Sequence, residues 1–182
     1  MFALWAPYFA LNSVFPGPAI AYGGGLAIAA ASVAGVLIAG GSLEDCGLRP
    51  RRPSRLTVAI VAGSAAVSIP VVVAIGRLQP WDWGGMLVAA PASAVAQEVY
   101  FRGTLQLALS RRFRFGRSGT AVSQAGLFAL WHLRAFRAVP PAQAVAVIVI
   151  AFAAGLIWGL LALRDRTIAW TLVHHAFYLL IQ

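Results

Sequence analysis

Apolar residues run along the chain in blocks about 20 residues long, separated by short stretches that carry arginine, proline or glycine. A helix rises about 1.5 Å per residue, so a block of that length matches a hydrocarbon core about 30 Å thick. Six blocks predict helices over 19–41, 56–76, 86–109, 119–138, 142–163 and 167–181. Residues 1–14 are apolar but short, and Phe15-Pro16-Gly17-Pro18 breaks them, which reads as an interfacial segment or the remnant of a further helix. The sixth block is marginal for crossing, which places its end close to the working core. No repeat with a period of about 20 to 50 residues is present. The predicted fold is all-α, a polytopic membrane bundle of about six transmembrane helices.

Composition agrees with this pattern. Of 182 residues, 60% are hydrophobic and only 10% charged, against roughly 25% charged in soluble domains. Too little polar surface remains to cover a water-exposed globule, so a soluble enzyme is excluded. The 14 basic residues are all arginine and the acids number 5, for a net charge of +9. These arginines lie between apolar blocks rather than along one helix face, so they are topology signals and no nucleic-acid partner is expected. With the N-terminus outside, ten of them (Arg49, Arg51, Arg52, Arg55, Arg111, Arg112, Arg114, Arg117, Arg164 and Arg166) fall on one side, and Arg77, Arg134 and Arg137 on the other. The positive-inside rule makes the first group cytoplasmic.

Smaller features fit the same frame. Trp81 and Trp83 flank Asp82 and read as an aromatic belt at the headgroups. Gly155 and Gly159 form a Gly-x-x-x-Gly pair suited to close helix packing inside the bundle. Cys46 is the only cysteine, which excludes an intrachain disulfide and any multi-cysteine metal cluster. The N-terminus lacks the basic region and Ala-x-Ala site of a cleaved signal peptide, so the first helices are expected to insert and stay.

An ionised side chain near the middle of a membrane helix costs roughly 2.5–3.5 kcal/mol on insertion scales. The residues that bear such a cost are few: Gln97, Glu98 and Arg102 in the third block, His132 in the fourth, His174 and His175 in the sixth. Glu98 and Arg102 are four apart and share a helix face, so they can pair. From the arginine-rich loops, Glu98, His132 and His174 lie roughly 18, 20 and 12 Å deep at about 1.5 Å per residue. They can therefore meet in one layer. A buried carboxylate converging with two imidazoles suits proton handling or hydrolysis. On the same reasoning His175, about 100° around the helix from His174, is expected to point elsewhere and to be structural.

Three segments carry a family resemblance. Gln97-Glu98-Val99-Tyr100-Phe101-Arg102-Gly103 resembles the Glu-Glu-x-x-x-Arg motif of the CAAX prenyl endopeptidase and bacteriocin-processing (CPBP, or ABI) family. Phe128-Ala129-Leu130-Trp131-His132 resembles its Phe-x-x-x-His motif, and the stretch from Gly155 to His174 its last glycine-rich and histidine helices. The resemblance covers 43–182, the protease-like core, and leaves 1–42 as an N-terminal membrane segment. It implies an intramembrane endopeptidase whose motif-one glutamate and His132 activate a water, with His174 and a residue four positions later stabilising the oxyanion. Two positions depart from the pattern. Gln97 stands where the first glutamate belongs and cannot accept a proton, and Tyr178 stands where Asn or Asp belongs.

The catalytic set implied by the resemblance is therefore Gln97, Glu98, Arg102, His132, His174 and Tyr178. Family members are described both as metal-dependent and as metal-independent; a divalent metal such as zinc remains open, although no His-Glu-x-x-His helix supports it. The expected partners are a membrane-anchored peptide or protein substrate and the lipid bilayer, in a prokaryotic plasma membrane. Two other readings stand beside this one: a catalytically degenerate regulator that binds a membrane partner, and a proton-coupled carrier using Glu98 and the histidines as a relay. The missing internal duplication argues against the carrier.

Overall fold

The computed structural model describes residues 23–76 and 83–180. Among them every regular element is helical. Helix α1 spans Gly24–Ile38 and α2 Arg55–Gly76, while α3 begins at Trp83–Gln97, continues through a π-helical stretch Glu98–Leu105, and ends as α4, Gln106–Arg111. Helix α5, Arg117–Trp131, passes through a 3₁₀ turn His132–Arg134 into the short α6, Ala135–Ala138; α7 is Pro141–Asp165 and α8 Ala169–Leu180. The predicted blocks and these helices coincide to within a few residues. Segment 1–14 and the side chains of the Trp81, Asp82 and Trp83 belt lie outside the described residues.

Helix α7, 25 residues and strongly apolar, is long enough to cross a membrane. It spans about 37 Å at the usual rise. Large apolar side chains remain exposed around the bundle, among them Val67, Val88, Val149 and Val173, as expected where the outer surface faces lipid rather than water. Pro141 at the first turn of α7 gives up a backbone N–H that would have had no partner there. Inside α2 and α3, Pro70 and Pro91 are tolerated, as membrane helices commonly allow.

The core is built where small residues let helices approach. Helix α5 lies along α7. A Cβ on Gly155 would come within 3.0 Å of Phe128 Cδ1, and one on Gly159 within 2.6 Å of Gln124 Oε1. The glycine pair therefore packs helices of the same chain. Helix α3 lies against α1 and α8, with Thr104 Oγ1 donating to Ser32 Oγ at 3.1 Å across one seam.

The arginine-rich end is tied by polar latches. Asp165 Oδ2 accepts from Thr57 Oγ1 at 2.6 Å and from Ser54 N at 3.3 Å, joining the start of α2 to the end of α7. Gly47, at φ +67, accepts at its carbonyl from Ile168 N–H at 2.9 Å, which holds the 42–48 turn beneath α8. Arg111 pairs with Asp45, and Arg49 and Arg51 with Glu44. The Arg111 guanidinium, helped by Ser42, holds the Asp45 carboxyl below its usual range, and Arg51 and then Arg49 do the same for Glu44.

Candidate functional site

The intramembrane polar residues gather where the π-helical stretch, the end of α5, the middle of α7 and α8 meet. Widening the helix at Glu98–Leu105 shifts its hydrogen bonding to five residues back, as Gln106 N–H to Phe101 O shows. Such turns re-aim side chains and recur at functional sites. Here the stretch buries Glu98 completely, at 0% exposure, and Arg102 at 3%.

Glu98 Oε1 receives two partners. His175 Nδ1 lies 2.8 Å away and Arg102 Nη1 3.1 Å away. A carboxylate only accepts, so His175 carries its proton on Nδ1 and leaves the Nε2 lone pair outward. The Arg102 contact is one of charge without hydrogen-bond alignment, and the guanidinium instead lies over aromatic faces, 4.1 Å from the Phe128 centroid and 5.2 Å from that of Trp158. Cation–π attraction is largest in such desolvated surroundings.

His132 begins the 3₁₀ turn that ends α5. Its Nδ1 donates to Phe128 O at 2.9 Å, as the carbonyl requires, so its Nε2 is likewise left as an acceptor. His132 and His175 line one cavity of about 190 Å³ with Phe128, Trp158, Tyr178 and an apolar wall from α7. A larger cavity, about 510 Å³, opens at the arginine-rich end. It holds no imidazole, Arg102 contributes to its lining, and Glu44 and Asp45 there are already paired with arginines.

Two expectations are corrected by this geometry. Glu98, His132 and His174 do not line a single polar cavity. His174 turns aside, with Nδ1 accepting from Trp158 Nε1 at 2.9 Å and Nε2 facing Ser64 Oγ at 2.5 Å. The histidine at the carboxylate is His175, expected to be structural. The reason is rotational: neighbouring helix positions diverge by about 100°, and α8 presents the later one to the π-helical stretch. Gln97 Nε2 donates to Ser93 Oγ at 2.7 Å on the preceding turn, while its Oε1 is buried with no hydrogen-bond partner among the described residues. Tyr178 does reach the cavity.

Ser64 and Trp158 escaped the reading of the sequence. A serine in an apolar helix carries little signal. Trp158 carried one, since tryptophan in membrane helices favours the interfaces and this one lies inside an apolar block, where the structure buries it at 3% exposure. The Ser64–His174 pair resembles a nucleophile with its base, but the indole N–H can only donate. It occupies the His174 lone pair on Nδ1, so the neutral ring donates from Nε2 and cannot accept the serine proton.

The donor set does not fit a catalytic zinc, which takes three protein ligands. Among the described residues no three His, Cys, Asp or Glu side chains gather around one point, and Glu98 is engaged by His175 and Arg102. No curated protein and no solved structure matches the chain. A family model does, the one described as type II CAAX prenyl endopeptidase Rce1-like, over residues 79–181. That stretch includes the π-helical turn, both cavity histidines, Trp158 and α8, more than half the chain. The protein thus belongs to the Rce1-like family of type II CAAX prenyl endopeptidases, a family of membrane proteases.

Proposed function

We propose that the protein is an intramembrane endopeptidase that hydrolyses a peptide bond of a membrane-associated peptide or protein, with Glu98, His175 and His132 as its acid–base machinery. One observation carries this reading: a fully buried carboxylate bonded through Nδ1 to an imidazole that lines a cavity together with a second imidazole. In this reading Glu98 does not touch water. It fixes the His175 tautomer and stabilises the imidazolium formed when His175 Nε2 takes a proton from the attacking water. His132 Nε2 is the second acceptor and holds that water, and the proton taken up by His175 Nε2 passes on to the leaving amine. The Tyr178 hydroxyl is the cavity's donor to the developing oxyanion. Val147, Ile150, Ala151 and Ala154 supply an apolar wall suited to an apolar substrate residue.

Gln97 is compatible with this scheme because the required carboxylate is its neighbour. The chemistry is assigned to the bilayer region, with the ten-arginine face in the cytoplasm. The test is cleavage of a panel of membrane peptides by the detergent-solubilised protein, comparing wild type with Glu98→Gln, His175→Gln and Gln97→Glu. Cleavage by wild type that vanishes in the first two supports the assignment. Activity only in Gln97→Glu would return the role of base to position 97. Binding without cleavage by any of them would make the chain a membrane regulator.

A further inference from the structure

Trp158 sits between the two neighbouring histidines of α8 and contacts each in a different way. Its Nε1–H donates to His174 Nδ1 at 2.9 Å. Its ring stacks on His175, with centroids 4.2 Å apart and planes 27° from parallel. Indole is a donor only, so His174 must hold a lone pair on Nδ1 and, when neutral, its proton on Nε2. That proton points at Ser64 Oγ, 2.5 Å away, and the serine hydroxyl passes its own to Val61 O at 2.9 Å. His175 has the opposite tautomer, with Nδ1–H on Glu98. Its ring plane is held from one side by the indole and bordered edge-on by Phe128, at 5.9 Å between centroids.

We infer that Trp158 is a positioning residue of the catalytic site, locking His174 and His175 into opposite tautomers so that His175, with His132, offers the imidazole lone pairs to the cavity. This rests on the endopeptidase reading above for its consequence in rate, but its geometry is testable without a substrate. Each half of the indole has its own task. The N–H keeps His174 bound to α7 and α2 and out of competition for Glu98; the ring face keeps His175 oriented with Nε2 outward. Positioning of this kind acts on the transition state more than on binding, because a base displaced by about 1 Å loses most of its advantage. The flanking Gly155 and Gly159 let α7 pack tightly against α5 on either side of Trp158.

The experiment uses the full chain in detergent micelles, with ¹⁵N-labelled histidine and each imidazole assigned by single substitution. In wild type, His174 should read as the Nε2–H tautomer and His132 and His175 as Nδ1–H. Trp158→Phe keeps a stacking face and removes the donor, so His174 should become a mixture of tautomers while His175 is unchanged. Trp158→Leu removes both, and the His175 signals should average as well. On a cleaved peptide, kcat should fall at least about tenfold in Trp158→Leu and less in Trp158→Phe, with KM held, in keeping with loss of a transition-state interaction. An unchanged His174 pattern in folded Trp158→Phe, or an unchanged His175 pattern in folded Trp158→Leu, overturns the inference. If the leucine variant does not fold, the phenylalanine variant decides alone. The stated tautomers without cleavage of any peptide would overturn the hydrolytic reading and leave the positioning role standing.

Discussion

Glu98 Oε1 is 2.8 Å from one imidazole and 3.1 Å from a guanidinium, in surroundings with no solvent exposure at all. Breaking a buried ion pair on one side typically costs about 3–5 kcal/mol because a bare charge is left behind. Arg102→Met should therefore destabilise by about that much, and the double variant Glu98→Gln/Arg102→Met should recover most of it; denaturant unfolding of the four proteins in micelles measures the coupling. For activity, loss of a general base typically removes about 10² to 10⁴ of the rate. His175→Gln should fall in that range on a cleaved peptide. Gln97→Glu should change little, since residue 97 turns back to Ser93. At this scale the sequence was legible in part: the cost of ions in lipid singled out Glu98, Arg102 and the three histidines. Which histidine meets the carboxylate was not, because the motif aligned through His174 and Tyr178, four positions on, favoured the wrong partner and α8's rotation depends on packing.

Glycine spacing on α7 decides how closely that helix approaches α5. Any added Cβ at 159 must displace both Gln124 Oε1 and Gln106 Nε2, the acceptor and donor of a 3.4 Å hydrogen bond across the seam. Overpacking of this kind costs about 1–3 kcal/mol. Gly159→Ala should lower the thermal midpoint in detergent, whereas Gly126→Ala, where a Cβ meets nothing within 4 Å, should not. The latches at the arginine-rich end add a pH signature. The Glu44 and Asp45 carboxyls are held below their usual range, so their support is present above the unfolded carboxylate pKa and is lost as pH falls through the lowered folded values. Asp45→Asn should remove part of the acid-induced drop in melting temperature. Helices themselves were readable from block length, since a membrane leaves the backbone no other open choice. Subdivision of the third block was not, as nothing in Glu-Val-Tyr-Phe-Arg-Gly-Thr-Leu marks a π-helical turn.

Orientation is a property of the whole chain, and its prediction rests on ten arginines against three. In this frame a cysteine replacing Trp83 should react with an impermeant reagent from outside, and one replacing Phe115 should not. Cys46, at 0% exposure, provides a silent background for the labelling. The reverse pattern would invert the assignment of faces while leaving the cavity intact. A consequence for the molecule's tolerance of change follows from the widened turn at Glu98–Leu105. A π-helical stretch holds one more residue than an α-helix of equal length, so it acts as a reading-frame shift in three dimensions. Deleting Val99 would let the segment relax to an unbroken helix that absorbs most of the change, leaving Glu98 and Arg102 three apart and still on one face. Substitutions around the site change its chemistry by degrees. A one-residue deletion in the unwidened part of α3, such as at Val95, has no such slack and should instead rotate Glu98 and everything after it by about 100° in a single step while preserving every residue of the site.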